Sequence, residues 1–303
     1  MSTNMGKLID SSFERLIQED ERLKAFNDTV PVGILVIEVE SGRPVYSNQF
    51  FRELLGADGD QVLGQSWENF FVDSQERENL MVKFSVEDEV RNFELRLRRT
   101  DGEVMWGLAS MSEIPVEEES LLLFAFVDIT RLKSAEAAIQ HLADHDQLTG
   151  LPTRRLLQSR LDQAIVRADG AEAQLGVFFI DLDGFKEIND TFGHNIGDLV
   201  LKETANRLAD SVQEKDMVAR LGGDEFLIVS EEQGSQSAES IGKLVLENVS
   251  QAIETAEGEV KISASIGIAL YPDNGLTPEE LIKAADNAMY GVKKTGKGAI
   301  AFA

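Results

Sequence analysis

The sequence predicts a mixed fold of class α+β / α/β, built from two successive domains that each have a sheet covered by helices. Its 303 residues are enough for two domains of ordinary size. The first part has short β-like runs on either side of a helical stretch at about 48–73, an order typical of an antiparallel sheet with helices on one side. The second part combines a continuous apolar strand at 176–180 with helices of 3.6-residue periodicity at about 198–212 and 281–292, which predicts a central sheet with covering helices.

Five apolar runs indicate the strands of the first sheet. They lie at 33–37, 45–46, 93–97, 104–108 and 121–127. Asp101 and Gly102, between the third and fourth runs, are a strong hairpin signal. Ahead of the strands, apolar residues at helical spacing predict an amphipathic helix over 8–23. These residues are Ile9, Phe13, Leu16, Ile17 and Leu23.

A helical linker is predicted between the two domains. Its apolar residues follow a spacing of three, four and three, which is typical of a short coiled-coil seam. They are Leu132, Ala135, Ile139 and Leu142. Asp128 or Thr130 can cap the helix, and 15 residues of helix span about 22 Å. The alternative is a helix that lies on its own domain. His141 and His145 are expected on the solvated flank of the helix.

Composition excludes several classes of function. With 29 basic and 54 acidic residues, the net charge of −25 repels nucleic acid polymers and anionic membranes, so neither is expected as a partner. The longest apolar run, 121–127, is too short to cross a bilayer, and the N-terminus lacks a signal-peptide core, so a cytoplasmic location is expected. Because cysteine is absent, disulfides, thiolate metal sites and cysteinyl flavin adducts are excluded.

Two acidic segments predict a functional site. The apolar strand at 176–180 runs into the sequence D-L-D-G-F-K at 181–186. The sequence R-L-G-G-D-E-F at 220–226 reads as a hairpin whose two glycines permit positive φ. If strand and hairpin are neighbours, four carboxylates converge, namely those of Asp181, Asp183, Asp224 and Glu225. All-oxygen ligand sets select hard ions such as Mg²⁺, whereas isolated acids at a hairpin tip would merely be solvated.

At these residues the chain resembles the GGDEF family of diguanylate cyclases. The pentapeptide at 222–226 carries the family's name, and 181–186 resembles its D-x-D-x-F-K segment. The runs I-N-D-T-F-G-H-N-I-G-D at 188–198, D-Q-L-T-G-L-P at 146–152 and A-D-N-A-M-Y-G-V-K at 285–293 resemble further family motifs in the family's order. The resemblance covers roughly residues 146–303 and implies a palm-like domain with its site at the strand ends.

The resemblance also implies an activity: condensation of two GTP molecules into cyclic di-GMP across a homodimer, with release of two pyrophosphates. It implies two Mg²⁺ ions per active site, with Mn²⁺ as a substitute. Asp181 and Asp224 would bind metal by carboxylate and Leu182 by its backbone carbonyl. Asp224 is the first choice for general base and Glu225 the second, although the metal could itself do most of the deprotonation. Asp183 is assigned to a supporting role behind the ligands.

Substrate contacts follow from the same resemblance. Backbone amides of Gly184 and Phe185, with the ammonium of Lys186, would bind the β- and γ-phosphates. Lys293 and Lys297 would reach the same phosphates, unless they serve only as a helix cap.

The next implied contact is with the base. Asn189 and Asp198 would recognise guanine, because a carboxylate accepts from guanine N1–H but faces an acceptor in adenine. His194 is expected to order this loop.

The chain departs from the family pattern at three places, of which the smallest is Thr153, where asparagine is more usual. Lys297 stands where arginine is usual, so a bidentate fork is lost while the charge is kept. The R-x-x-D motif of product-inhibited relatives reads Gln213 to Asp216, and glutamine cannot supply the charge-assisted fork to a phosphate. This inhibitory site is therefore degenerate, and weak or absent feedback is expected.

The first domain resembles a PAS sensor domain, through the runs Y-S-N at 46–48, D-G at 101–102 and D-I-T at 128–130. Its ligand is unknown. All three histidines lie outside it, so histidine-ligated haem is not expected. A non-covalent flavin or a metabolite could lie near Trp67 or Trp106, although tryptophan is more often a core residue.

These observations predict the domain organisation and the function together. The predicted segments are an N-terminal helix at 1–23, a PAS-like domain at 24–130, a linker at 131–145 and a cyclase domain at 146–303. The main hypothesis is a PAS-regulated homodimeric cyclase. The alternatives are an inactive nucleotide receptor and a dimeric interaction scaffold.

Overall fold

A computed structural model describes residues 29–116, 119–171, 173–231 and 235–303 of the chain. The helix predicted over 8–23 lies outside these ranges. The chain divides into two compact units between Ala137 and Ala138. Within the described ranges, no helix combines the length and the apolar character that a membrane crossing requires.

The N-terminal unit contains the predicted antiparallel sheet. Its five strands are β1 (Gly33–Glu38), β2 (Arg43–Ser47), β3 (Glu89–Arg98), β4 (Val104–Val116) and β5 (Glu119–Asp128). They lie in the order β2-β1-β5-β4-β3, with every neighbouring pair antiparallel. The turn between β3 and β4 has Gly102 at φ 90° and is closed by Asp101, which accepts from Glu103 N. The sequence prediction of five strands and this hairpin is confirmed.

Helices fill the chain between β2 and β3. They are α1 (Gln49–Leu55), α2 (Gly59–Leu63), a 3₁₀ turn (Trp67–Phe70) and α3 (Ser74–Glu87). The predicted helical stretch stopped at Asp73 and therefore missed α3. Only Leu80 of α3 is buried, so its apolar periodicity is weak. The overlooked signal was Asp73, which caps α3 by accepting from Gln75 N.

Aromatic rings fill the core of this unit. Trp67 is buried, with its ring centroid 5.1 Å from that of Phe71 and 5.8 Å from that of Phe124. Trp106 is half-buried, with the Arg96 guanidinium 5.3 Å from its ring centroid. Trp67 is thus a core residue, which is the second of the two possibilities that the sequence left open.

The linker forms helix α4 (Thr130–Asp144), and Asp128 caps it by accepting from Thr130 N at 2.8 Å. None of its residues is buried, and Leu132, Ile139 and Leu142 are 55%, 66% and 55% exposed. His141 is exposed as expected. His145 instead follows the helix, stacks on His141 at 4.4 Å and lies 3.1 Å from Gly150 O.

The C-terminal unit has the predicted central sheet, together with a short β9/β10 hairpin. Its strands are β6 (Leu175–Asp183), β7 (Met217–Gly222), β8 (Glu225–Glu231), β9 (Ile253–Thr255), β10 (Gly258–Val260), β11 (Ser263–Tyr271) and β12 (Ile300–Phe302). The order in the sheet is β12-β11-β6-β8-β7. β6 is antiparallel to both of its neighbours, and β12 is parallel to β11.

Helices cover both faces of this sheet. They are α5 (Arg154–Ala171), α6 (Phe185–Phe192), α7 (His194–Asp210), α8 (Ser235–Val249) and α9 (Pro278–Thr295). Phe178, Ile180 and Leu182 of β6 face α6, α7 and α8, whereas Val177 and Phe179 face α5 and α9. This alternation places residues 181 and 183 on the α5/α9 face.

Two predicted boundaries were wrong. β6 continues beyond Ile180 to Asp183, because β11 supplies backbone partners for its last residues, with Ser263 opposite Asp183. α7 ends at Asp210, so Val212 lies beyond the helix rather than on its face. The fold class is otherwise as predicted.

Candidate active site

The acidic hairpin is formed by β7 and β8. Gly222 has φ 145° and Gly223 has φ 55°, backbone conformations that residues with a side chain rarely adopt. The glycine pair therefore makes a tight turn that holds Asp224 at its end and Glu225 at the start of β8. Both acids are half-buried rather than fully solvated.

The register of the sheet brings β6 and the hairpin together. Asp181 lies opposite Glu225, and Leu182 N donates to Asp224 O at 3.2 Å. Asp181, Asp224 and Glu225 therefore lie near one another at this end of the sheet. The hydrogen bonds of the Asp183 side chain are made outside the hairpin. Its carboxylate accepts from Ser265 Oγ at 2.8 Å and from Gly298 N at 2.9 Å.

Burial and neighbouring negative charge raise the pKa values of Asp181 and Glu225. Asp181 is 6% exposed, and burial raises its pKa, helped by the negative charges of Asp224 and Asp183 and opposed by Lys293. Burial likewise raises the pKa of Glu225, together with the charges of Asp181, Asp224 and Asp286. A site that disfavours its own negative charges is suited to a cation.

The donor set fits a divalent metal ion. Oδ1 of Asp181 is buried, and the Lys293 ammonium lies 2.5 Å from it as its ion-pair partner. No three acidic or histidine side chains in the described ranges are gathered closely enough to bind a metal by themselves. The protein's oxygens would therefore come from Asp181, Asp224 and the Leu182 carbonyl, with further oxygens from a phosphate substrate and water, as Mg²⁺ requires.

The loop after β6 forms a helix N-terminus beside these acids. Gly184 has φ 83° and precedes α6, and no side chain caps the helix. Phe185 is half-buried and Lys186 is exposed. Uncapped N–H groups and the helix dipole favour an anion at this position.

Two lysines approach from the end of α9. Lys293 lies against Asp181. Lys297 follows the helix in a turn with φ 64° and is exposed. Its backbone N–H donates to Val292 O, so its side chain is not needed as the cap of α9.

The residues assigned to guanine lie on α6 and α7. A Cβ added at Gly197 would come within 1.9 Å of Asn189 Oδ1, so the Asn189 carboxamide packs directly on α7 beside Asp198. Asp198 is exposed. His194 is the first residue of α7 and is also exposed.

Sequence reasoning missed an ion pair behind the hairpin. Arg220, 10% exposed, donates to Gly223 O through Nε at 3.1 Å and through Nη2 at 2.7 Å. Its Nη1 donates to Asp146 Oδ1 at 2.8 Å. Asp146 also accepts from Thr149 N and Thr149 Oγ1. The available signal was an arginine two residues before the glycine pair and an aspartate in the predicted first loop of the domain.

The degenerate inhibitory motif has a structural use. Asp216 accepts from Gln213 N at 3.0 Å, Ser230 Oγ at 2.8 Å and Glu231 N at 3.1 Å. Gln213 is exposed. Asp216 therefore closes the turn that leads into β7.

Comparisons with known proteins identify two domains in the chain. The family model described as diguanylate cyclase, GGDEF domain, matches residues 143–299, and a PAS domain model matches residues 31–131. An uncharacterized signaling protein of Caulobacter vibrioides is 37% identical over 289 residues, covering 93% of this chain and 35% of that protein. The diguanylate cyclase TpbB of Pseudomonas aeruginosa is 39% identical over 210 residues, covering 69% of this chain and 47% of TpbB. The chain thus spans less than half the length of these two relatives.

A solved structure supports the C-terminal assignment. The GGDEF domain of TpbB from Pseudomonas aeruginosa is 42% identical, with a TM-score of 0.51 over 52% of this chain and 94% of that chain. The matched segment contains the acidic hairpin, the strand before it and the helix N-terminus described above. The chain therefore belongs to the GGDEF family of diguanylate cyclases and carries a PAS domain ahead of its GGDEF domain.

Proposed function

We propose that this protein is an active, PAS-regulated diguanylate cyclase that condenses two GTP molecules into cyclic di-GMP and releases two pyrophosphates. The observation that carries the proposal is the register of β6 against β8, which sets Asp181 opposite Glu225 and bonds Leu182 to Asp224. This register builds a buried oxygen site beside an uncapped helix N-terminus. Such a pairing suits a metal-bound triphosphate.

The reaction needs two equivalent displacements. In each, the 3′-oxygen of one GTP forms a bond to the α-phosphorus of the other, while the bond from that phosphorus to the pyrophosphate oxygen breaks. The hydroxyl proton passes to Asp224 in our first assignment, or to Glu225, whose raised pKa favours accepting a proton. The chain's main contribution is to position the triphosphate.

The metal would be held by the carboxylates of Asp181 and Asp224 and by the Leu182 carbonyl, with two ions per site and Mn²⁺ as a substitute. When bound, Mg²⁺ supplies Lewis-acid chemistry that lowers the pKa of the attacking hydroxyl and neutralises phosphate charge. Glu225, lying opposite Asp181, keeps the local field negative.

We assign the phosphate contacts to groups at the N-terminus of α6 and at the C-terminal end of α9. The N–H groups at Gly184 and Phe185 and the ammonium of Lys186 bind the terminal phosphates at the N-terminus of α6. Lys293 and Lys297 add positive charge from α9.

At the other end of the nucleotide, Asp198 accepts from guanine N1–H and the exocyclic amine, and Asn189 binds beside it. His194 orders the start of α7. A mismatched acceptor costs about 1–3 kcal/mol, so GTP should be preferred over ATP by tenfold or more.

Product analysis tests the proposal. The full chain is incubated with GTP and Mg²⁺, and the nucleotides are separated by chromatography. Cyclic di-GMP should form, and Asp181→Asn and Asp224→Asn should abolish it while leaving the fold intact by circular dichroism. A folded dimer that binds GTP without making product would instead indicate a nucleotide receptor. A dimer that binds no GTP would indicate an interaction scaffold.

We also propose homodimerisation through α4 and the PAS region, because each GGDEF domain binds one GTP and the chemistry needs two. The exposed apolar positions of α4, spaced as in a coiled coil, support this proposal. Nucleic acid polymers and membranes are not proposed as partners, given the net charge of −25. A cytoplasmic location follows from the need for GTP.

Regulation would act through the linker. The C-terminal end of α4 is tied to the next loop, since Thr153 N donates to Asp144 O at 2.7 Å and Arg155 pairs with Asp144 at 2.6 Å. From that loop, Asp146 bonds Arg220, which holds the carbonyl of Gly223. A change in the rotation or register of α4 would therefore be transmitted through these contacts to the turn at Gly222 and Gly223.

The domain boundaries stay as proposed, with segments at 1–23, 24–130, 131–145 and 146–303. The family matches at 31–131 and 143–299 support the two large segments. The PAS ligand is unassigned. An absorption spectrum of the purified protein would reveal a bound flavin or haem.

Inhibition by the product should be weak, because Gln213 cannot form the two charged hydrogen bonds that an arginine would. The Asp216 carboxylate already accepts hydrogen bonds from Gln213 N and Ser230 Oγ. Activity measured with added cyclic di-GMP should change little. Strong product inhibition that Asp216→Ala abolishes, with the variant still folded, would contradict this expectation.

A further inference from the structure

The turn after α9 has an unusual backbone. Gly296, Lys297 and Gly298 have φ values of 142°, 64° and 61°, so three consecutive residues have positive φ. Lysine is disfavoured in the left-handed region, and such residues persist only where the surroundings hold them. Something must therefore fix this turn.

Asp183 supplies the restraint. Its Oδ2 accepts from Gly298 N at 2.9 Å, and its Oδ1 accepts from Ser265 Oγ at 2.8 Å. Ser265 is fully buried on β11, so one end of the bridge lies in the rigid sheet. A Cβ at Gly298 would come within 3.1 Å of Ser263 Oγ, which leaves little room for the turn to shift.

Asp183 also connects this turn to the phosphate-binding loop. It is the last residue of β6 and directly precedes Gly184, the N-cap of α6. The same strand end thus presents the uncapped N–H groups and anchors the segment that carries Lys297. Both of its carboxylate oxygens accept hydrogen bonds from β11 and from this turn, whereas Oδ1 of Asp181 pairs with the Lys293 ammonium.

We infer that Asp183 is a positioning residue that fixes the Gly296–Gly298 turn and thereby places the Lys297 ammonium on the terminal phosphates of the nucleotide. The inference rests on the proposed function and adds a role for a residue that binds no substrate. Lysine offers a single flexible ammonium instead of arginine's planar fork, so its contribution depends strongly on backbone placement.

A double-mutant cycle on the full chain tests the inference. The probe is the α,β-methylene analogue of GTP with Mg²⁺, whose bridging carbon prevents pyrophosphate release, and its affinity is measured by calorimetry. Asp183→Ala should weaken binding about fivefold to tenfold in the presence of Lys297. In a Lys297→Ala background the same change should cost less than about twofold, since the cation to be placed is gone.

Two controls separate positioning from other roles. Asp183→Asn keeps an oxygen that can accept from Gly298 N, so it should retain most of the affinity, whereas a metal ligand would lose it. Lys293→Ala should combine additively with Asp183→Ala, because Lys293 lies within α9 and is placed against Asp181. Thermal unfolding of each variant checks that the fold is intact.

The affinity for the inert analogue is measured without any catalytic turnover. Additive effects of Asp183→Ala and Lys297→Ala, or an Asn variant as weak as the Ala variant, would overturn the inference. A wild-type chain that binds the analogue but makes no cyclic di-GMP would sink the proposed activity while leaving this coupling measurable.

Discussion

Asp181 and Glu225 show how individual residues are arranged for a ligand at the expense of stability. Each is a carboxylate whose pKa is raised, first by burial and then by neighbouring negative charge. Below the ordinary pKa of a carboxyl group, both the folded and the unfolded states are protonated. Above that pH, ionisation costs more free energy in the folded state than in the unfolded state. The free energy of unfolding therefore falls as pH rises through the raised folded-state pKa.

Neutralising Asp181 should therefore stabilise the protein in the absence of divalent ions. In a chelator at pH 7, Asp181→Asn should raise the melting temperature by a few degrees, about 2–4 °C per kcal/mol for a unit of this size. The gain should vanish near pH 3. Added Mg²⁺ should stabilise only the wild type. Asp162→Asn, at an exposed position of α5, is the control, and calorimetry is the measurement; a lower melting temperature for Asp181→Asn would contradict the argument.

Gly197 is the second residue with a specific consequence. A methyl group there would overlap Asn189 Oδ1 at 1.9 Å, so Gly197→Ala must displace the carboxamide assigned to guanine. We expect roughly tenfold weaker binding of the inert GTP analogue, whereas alanine's higher helix propensity offsets part of any strain in α7. Gly170→Ala, where an added Cβ meets no atom within 4 Å, is the matched control. Unchanged binding by Gly197→Ala would remove Asn189 from the nucleotide site.

At the scale of elements, the ion pair between Asp146 and Arg220 connects the loop at 145–153 to the hairpin, and Asp144 connects the same loop to the end of α4. The pKa of Asp146 is lowered: burial opposes ionisation, but hydrogen bonds from Thr149 and Arg220 outweigh it. A lowered folded-state pKa stabilises the fold above the ordinary pKa of aspartate, and this contribution is lost as pH falls through the folded value.

Asp146→Asn should thus be less stable than wild type at pH 7, with the difference closing below about pH 3 to 4. Unfolding in urea at several pH values measures this. Arg220→Lys should reduce stability too, because lysine cannot hold Gly223 O and Asp146 together. A pH-independent difference for Asp146→Asn would show that the ionised carboxylate is not what matters.

At the scale of the whole molecule, the two units share α4, whose apolar stripe is exposed. A charged residue in a coiled-coil seam is strongly destabilising, because it is buried unpaired on association. Replacing Ala135 and Ile139 by glutamate should therefore shift the protein to a monomer, as measured by light scattering, and lower cyclase activity at least tenfold. Ala137→Glu makes the same chemical change on the opposite face of the helix and should have little effect. Retained dimers and activity in the double variant would refute the role of the seam.

Much of the molecule was predictable because its signals are local. Alternating apolar runs, the D-G turn and the glycine pair specify strands and hairpins through near-neighbour geometry, so the five N-terminal strands and the β3/β4 and β7/β8 hairpins were predicted. Weakly amphipathic α3 was missed, since a single buried residue gives little periodicity. The end of β6 was misplaced because its last hydrogen-bond partners come from β11, about 80 residues later in the chain.

By itself, the sequence determined which residue types occupy the site, namely carboxylates, glycines and lysines at spacings that suit a metal-bound triphosphate. Only the tertiary structure decided which of the acids meet and what each one contacts. Asp181 and Asp183 are two residues apart and chemically alike, yet Asp181 lies opposite Glu225 of the hairpin and pairs with Lys293, whereas Asp183 accepts from Gly298 N in the turn that carries Lys297. The physical reason is strand register: the pairing of β6 with β8 and β11 selects partners that no local pattern encodes.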